Sequence, residues 1–238
     1  MSVLTLRART GRDRSADVAW PTGDFGAGDA EPYERALRAA SARLTMHDVL
    51  RPRRRSRLDV SRYLAAPSPS ERRLLGVGDG PVLDVGCGPG RMVQAALLSG
   101  RPALGIDLSA TSIAIALARR LPAVHGSVFD RVPDEGSWGT VLLMDGNIGI
   151  GGDPARLLAR CAEIVRPGGH LVVETHAHPR RDRRFAAVLV GDDRIESRPF
   201  PWAEVGPVAL RRHAEGTGLV PAGTRRAGRR GFAVYLRA

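Results

Sequence analysis

The stretch Asp84-Val85-Gly86-Cys87-Gly88-Pro89-Gly90 places a carboxylate and three glycines where the short apolar run Val82–Val85 gives way to a helix-forming segment. Gly86 and Gly88 let backbone N–H groups come close to a ligand and permit turns that other residues resist. A glycine-rich strand-to-helix turn alone suits dinucleotides, nucleotides and methyl donors equally. Three details narrow the choice. The dinucleotide spacing G-x-G-x-x-G is broken by Arg91 after Gly90. The Lys-Ser/Thr pair of a phosphate-binding P-loop is missing. Asp84 would repel a pyrophosphate, yet it suits a cationic amino group. Asp107 closes the next apolar run, about twenty residues on, where a carboxylate can accept both hydroxyls of a ribose. Leu108 follows and can pack on a flat base. Helix capping is the plainer role for Asp107, and the glycines upstream weigh against it.

These residues need strand ends to hold them, and the pattern supplies strands. Ahead of them, residues 1–30 are rich in Gly, Asp and Arg and read as an extended arm. A helix is expected from Glu31-Pro32, with Pro32 in its first turn. The basic run Arg51–Arg57, short helices near Leu58–Leu64 and Ser70–Leu75, and Gly76–Gly80 complete a helical lead-in. From Pro81 strands and helices alternate. Ala103–Asp107, Ala123–His125, Val141–Met144 and His170–Thr175 read as strands. Arg91–Ser99, Ala110–Arg120 and Asp153–Val165 read as helices, with Ser109 a cap and Arg166–Gly169 a turn. A helix near Val208–Gly216 and strands near Val220–Arg225 and Phe232–Arg237 close the chain. Such alternation predicts an α/β, doubly wound, mainly parallel sheet. The division expected is 1–78 for the arm and helices and 79–238 for the main domain. Within the latter, 176–204 exceeds a simple connection and reads as an inserted hairpin, Phe185–Val190 against Arg194–Phe200.

With 238 residues, 43% of them hydrophobic, the chain can bury one sizeable core. No apolar run reaches the roughly 18 residues a membrane helix needs, and the start MSVLTLRARTGRDRS lacks a signal-peptide pattern. A cytoplasmic, membrane-free protein is expected. Cys87 and Cys161 have no metal-ligand or disulfide spacing, and Cys161 falls on the apolar face of its helix, so no metal site is expected. All 36 basic residues are arginine and the formal net charge is +11. Such a balance can serve a polyanion, but total exclusion of lysine reads better as codon bias.

The segments DVGCGPG, GIDLS, MDGNIG and RPGGHLVVE together resemble the class I S-adenosylmethionine-dependent methyltransferases, over roughly Pro81–Leu236. The resemblance implies a Rossmann-like seven-stranded sheet with its last strand antiparallel, and S-adenosyl-L-methionine as cofactor. It sets Asp84 beside the methionine amino end, with Gly86, Cys87 and Gly88 along the donor. Asp107 would hold the ribose and Leu108 the adenine. Many members carry an acid near the third strand for the adenine amino group. Here His125-Gly126-Ser127-Val128 stands instead, so Ser127 and the Val128 backbone take that position, with Asp130 the alternative. Asp145 and Gly146 would line the methyl-transfer end. MDGNIG lacks the Asn/Asp-Pro-Pro-aromatic pattern of many nucleobase amino methyltransferases, which disfavours that chemistry.

A proton acceptor, if the reaction needs one, would be Asp145 or His176, with His178 beside it and Glu174 orienting. Gly149, Gly151 and Gly152 read either as a close backbone approach or as a mere turn. Tyr33 and Trp202 read as exposed-loop aromatics that could cover the cofactor or acceptor, with core packing the default. Arg51–Arg57 and Arg180–Arg184 read as solvated faces. The function expected is methylation of an O, N or C atom of a small molecule. An RNA- or protein-modifying methyltransferase is the alternative that the arginines keep open. A non-catalytic cofactor-binding interaction protein is the third.

Overall fold

The computed structural model describes residues 20–26, 32–40 and 43–238. Most of the expected arm, and Glu31 at the expected helix start, lie outside the described residues. The lead-in comprises α1 (Pro32–Ala39), β1 (Arg43–Asp48), β2 (Arg51–Asp59), α2 (Val60–Leu64) and α3 (Pro69–Leu74). Its helices follow the sequence reading, with Ser68 and Glu71 forming a reciprocal capping box on α3. The strands do not. Arg51–Arg57, read as a solvated basic segment, is one strand of a hairpin with β1.

The main body runs β3 (Val82–Val85), α4 (Arg91–Leu98), β4 (Ala103–Asp107), α5 (Ala110–Ala118), β5 (Ala123–His125) and β6 (Trp138–Leu143). A 3-10 turn over Asn147–Gly152 leads to α6 (Pro154–Ile164) and β7 (Val165–Thr175). Then come β8 (Asp182–Val190), β9 (Phe200–Val205), α7 (Pro207–Ala214), β10 (Leu219–Ala227) and β11 (Arg230–Arg237). Seven strands form one sheet in the order β10-β11-β7-β6-β3-β4-β5. Strands β5, β4, β3, β6 and β7 are parallel, while β11 is antiparallel to both its neighbours. This is the seven-stranded sheet with an antiparallel last strand that the resemblance implied. The Arg166–Gly169 turn is absorbed into the start of β7, where Trp138 and Thr140 of β6 pair with it across a register shift.

Both faces of the sheet are covered. Leu83, Val141, Leu171 and Val173 pack against Leu157, Leu158 and Cys161 of α6 and Leu210 of α7. Their neighbours Val82, Leu142 and Val172 point the other way, onto Leu74 of α3 and Met92 of α4. Residues that alternate between two buried faces read as continuous apolar runs, which is why β3 and β6 were visible in the sequence.

A second sheet, β2-β1-β8-β9, joins the lead-in to the inserted hairpin. The insertion is a hairpin, but its second strand is Phe200–Val205 rather than Arg194–Phe200. Leu44, Met46, Phe185, Leu189, Phe200 and Trp202 of this sheet form a core with Tyr33 and Leu37 of α1. The expected 1–78 and 79–238 division therefore cuts through a single sheet.

Candidate functional site

The site is built where β3, β4 and β6 end. Past β3, the N–H groups of Gly86 and Cys87 both donate to the Ile106 carbonyl of β4, at 2.8 and 3.1 Å, so the glycine loop folds back over its neighbour strand. Gly86 has φ +67°, and a Cβ there would lie 2.5 Å from Asn147 Nδ2. That amide nitrogen donates to the carbonyls of Val85 and Gly86 at 2.8 and 2.9 Å. Asn147 thus clamps the loop from the end of β6, and only glycine leaves room for it. At the end of β4, Asp107 accepts the Gly88 N–H at 2.7 Å and the Ser109 N–H at 2.8 Å. Ser109 in turn caps α5 through the Ser112 N–H.

A pocket opens over these groups. Asp84, Gly86, Cys87, Gly88, Asp107, Leu108, Ser127 and Val128 all line it. Asp145 reaches it from β6. Gly146 does not line it and faces a second, adjoining cavity, where His176 also lies. Asp130 lines neither. Tyr33 and Trp202 are both buried and both roof the pocket. Phe25, which the sequence reading passed over, joins them, its ring centroid 4.9 Å from Tyr33 and 5.4 Å from Trp202.

The electrostatics are unusual in one respect. Asp84 is buried, and its Oδ1 has no hydrogen-bond partner among the described residues. Burial pushes its carboxyl up to about 8, with Asp145 and Asp107 adding to the rise against Arg91. An orphaned buried carboxylate oxygen in a pocket wall calls for a cationic donor. Asp107 is also raised, again by burial first, while the Ser109 and Gly88 N–H bonds hold it back. Each of its oxygens keeps a lone pair free for a ligand hydroxyl. Burial raises the Cys87 thiol as well, consistent with a packing role: a Cβ on Gly105 would lie 2.5 Å from its sulfur.

Six charged side chains from six segments converge under the pocket. Asp145 is ion-paired to Arg62 of α2, Arg91 of α4 and Arg230 of β11, the last at 2.8 Å. Glu71 of α3 pairs with Arg91 and, at 2.7 Å, with Arg230. Glu174 of β7 pairs with Arg230 and accepts the Asp145 N–H. The carboxylate of Asp145, a candidate proton acceptor from the sequence, is therefore occupied by three guanidinium groups. His176 is half-buried in the second cavity, and its Nδ1 accepts the His178 N–H at 3.0 Å. Apart from Asp145, Arg91 and Glu174, none of this network was singled out from the sequence. The one available signal was Arg91 itself, a lone charge opening an otherwise apolar helix.

Gly149, Gly151 and Gly152 serve close approach. A Cβ at Gly149 would lie 2.5 Å from both the Ala203 carbonyl and the Trp202 ring, and one at Gly151 2.8 Å from Phe129. Among the described residues, no group of three His, Cys, Asp or Glu could hold a metal, and no helix is long and apolar enough to cross a membrane.

A doubly wound sheet with a pocket lined by Asp84, Asp107 and Asp145 at its carboxyl edge defines the class. The particular family follows from comparison: residues 53–202 match the model of the methyltransferase domain, and the chain belongs to that family. It is 31% identical over 150 residues to a ubiquinone biosynthesis O-methyltransferase of Rhodopseudomonas palustris, covering 58% of this chain and 58% of that one. The chain spans about half the length of the curated relatives it matches. Among solved structures, a SAM-dependent methyltransferase from Bacteroides fragilis, in complex with S-adenosyl-L-homocysteine, shares the fold. Its TM-score is 0.71 at 20% identity, over 87% of this chain and 95% of that one. A 1,6-didemethyltoxoflavin-N1-methyltransferase from Burkholderia thailandensis does so at TM-score 0.53 and 18% identity, over 71% and 77%.

Proposed function

We propose that this chain is an enzyme that transfers a methyl group from S-adenosyl-L-methionine to a small-molecule acceptor. The observation that carries the reading is the orphaned Oδ1 of buried Asp84, in the same pocket as the half-free carboxylate of Asp107. The first matches the ammonium of an amino acid moiety and the second a ribose diol. Leu108, Val128 and Phe129 supply apolar walls for a flat base. The donor, when bound, supplies an electrophilic methyl on a sulfonium. Everything else falls to the protein: Asp84 and Asp107 fix the two ends of the ligand, Asn147 keeps the glycine loop open, and Phe25, Tyr33 and Trp202 exclude water. Alignment of the reactants is the main service such a reaction needs. The names of the relatives, which act in ubiquinone biosynthesis and on didemethyltoxoflavin, support a small acceptor.

Calorimetric titration with S-adenosyl-L-methionine and S-adenosyl-L-homocysteine tests the reading. Binding is expected, weakened about 10- to 100-fold by Asp107→Ala through loss of charge-assisted hydrogen bonds. No heat at millimolar ligand would sink it. One observation favours a polyanionic acceptor instead: Arg51, Arg53, Arg54, Arg55 and Arg57 stand exposed on the edge strand β2. That second reading requires RNA retention on filters that falls steeply as salt rises.

A further inference from the structure

A second cavity adjoins the donor pocket and shares Leu58, Tyr63, Asp145 and Trp202 with it. Met46 and Ile148 extend its apolar wall, and His176 and Glu204 mark its polar side. We infer that this cavity binds the methyl acceptor, a planar phenol or enol that enters as its oxyanion and receives a hydrogen bond from Nε2–H of His176. The inference rests on the methyl-transfer reading above.

The tautomer of His176 carries it. A neutral imidazole has one donor nitrogen and one acceptor nitrogen. Nδ1 already accepts the His178 backbone N–H at 3.0 Å, so the ring proton sits on Nε2. Nε2 has no partner among the described residues. Burial first, and then the nearby Arg181, lower the ring's pKa against the charge of Glu204, which keeps the ring neutral at pH 7. A side chain in this state gives a hydrogen bond and has no free lone pair to take a proton. It positions an acceptor oxygen; it does not deprotonate one.

The surrounding charges leave that oxygen to arrive ionised. Asp145 and Glu174 are tied to Arg62 and Arg230. Glu204 faces the Nε atoms of Arg181 and Arg183 at 3.6 and 3.7 Å. Asp59, which also lines the cavity, accepts the Ser61 hydroxyl at 2.5 Å. Only an acceptor acidic enough to lose its proton to water reaches the site as a nucleophile, which selects phenols and enols over alcohols. The oxyanion's lone pair then forms the new O–C bond as the S–C bond breaks. The electron pair of that bond stays on sulfur, and no proton moves within the site. Trp202 and Leu58 give the flat body of such a molecule its wall.

The probe is 4-nitrophenol, whose neutral and ionised forms absorb at different wavelengths. It is titrated against the full chain saturated with S-adenosyl-L-homocysteine. The expected result is bound nitrophenolate with an apparent pKa below that of the free dye. His176→Phe keeps the ring shape but loses the donor, and should weaken dye binding about 10- to 100-fold and abolish the pKa shift. His176→Gln keeps a donor and should bind within a few-fold of wild type. Glu204→Gln removes a carboxylate from the cavity's polar side and should lower the apparent pKa of the dye further. Dye bound in its neutral form overturns the inference. So does equal damage from Gln and Phe at His176, which marks a base, or loss of the shift in Glu204→Gln, which makes Glu204 the base. A dye that does not bind while S-adenosyl-L-homocysteine does removes the acceptor class and leaves methyl transfer standing. Failure of both ligands removes the functional reading itself. Melting curves establish that each variant is folded, and the wild-type dye spectrum decides the question even where a variant is not.

Discussion

Asp84 shows how a single buried carboxyl can couple ligand binding to pH. With its carboxyl pushed up to about 8 by burial, the group is protonated in the free protein at neutral pH. A bound ammonium favours the ionised form, so binding must expel one proton below pH 8. Donor affinity should therefore rise about tenfold per pH unit between roughly 6 and 8, then level off. Calorimetry in buffers of different ionisation heat measures the released proton directly. Asp84→Asn should flatten the profile, weaken the donor and, by removing a buried titrating group, raise the melting temperature at pH 7. A pH-independent affinity in the wild type would contradict the assignment. Asp84, Gly86, Gly88 and Asp107 were legible in the sequence because loop chemistry and strand ends announce them locally. Arg62, Glu71 and Arg230 were not, because they lie far apart in the chain and meet only through the fold. His176 was legible as a histidine near the right strand end, but its role depends on a hydrogen bond from His178 that no spacing reveals.

At the scale of elements, the donor sheet was readable and the covering sheet only half so. Strands β3 and β6 are buried on both faces and spell themselves as apolar runs, and β4 is buried at Gly105 and Ile106. Strand β2 is an edge strand whose residues Arg51–Arg57 are all exposed, so it carries neither alternation nor hydrophobicity to betray it. Charged residues on such an edge also discourage pairing with another chain. Strand β9 was misplaced because its burial is nearly continuous, Phe200 to Ala203, whereas the alternating stretch before it is a connection. What holds β9 to the body is the 3-10 turn beneath it. Gly149→Ala would put a methyl 2.5 Å from the Ala203 carbonyl and the Trp202 ring, in a backbone conformation that alanine itself tolerates. Either β9 lifts or the turn moves, at a cost of about 1–3 kcal/mol. The variant should melt lower, shift its tryptophan emission toward the red and bind donor more weakly, since Trp202 roofs that pocket. Unchanged emission together with unchanged donor affinity would show that the turn does not set the roof.

Across the whole molecule, the charge network and the donor pocket pull stability in opposite directions as pH changes. Burial tends to raise Glu71, but the Ser68 N–H bond and the charge of Arg91 outweigh it and hold the carboxyl down at about 2. Its stabilisation is complete above the unfolded carboxylate value and is lost as pH falls through about 2. Asp84 and Asp107 have the reverse sign, because both are raised by burial. Their contribution is complete below the unfolded value and drains away as pH rises, through about 8 for Asp84. The arginines that make up the +11 charge do not titrate in this window, so they add little to the shape. The unliganded protein should thus melt highest in mildly acidic buffer and lose stability toward both pH 2 and pH 8. In a chain of this size each 1 kcal/mol moves the melting temperature by about 2–4 °C, so the fall is measurable. Saturating S-adenosyl-L-homocysteine brings an ammonium to Asp84, removes the alkaline loss and moves the optimum upward. Glu71→Gln should erase much of the acid limb, lowering the curve by about 3–5 kcal/mol near neutral pH and progressively less toward pH 2, where Glu71 itself is protonated. Melting temperatures from pH 3 to 9, with and without ligand, read all of this at once. A free protein that gains stability steadily up to pH 8, or a ligand effect equal at every pH, would mean that the carboxylates of the pocket are not the groups that meet the donor's charge.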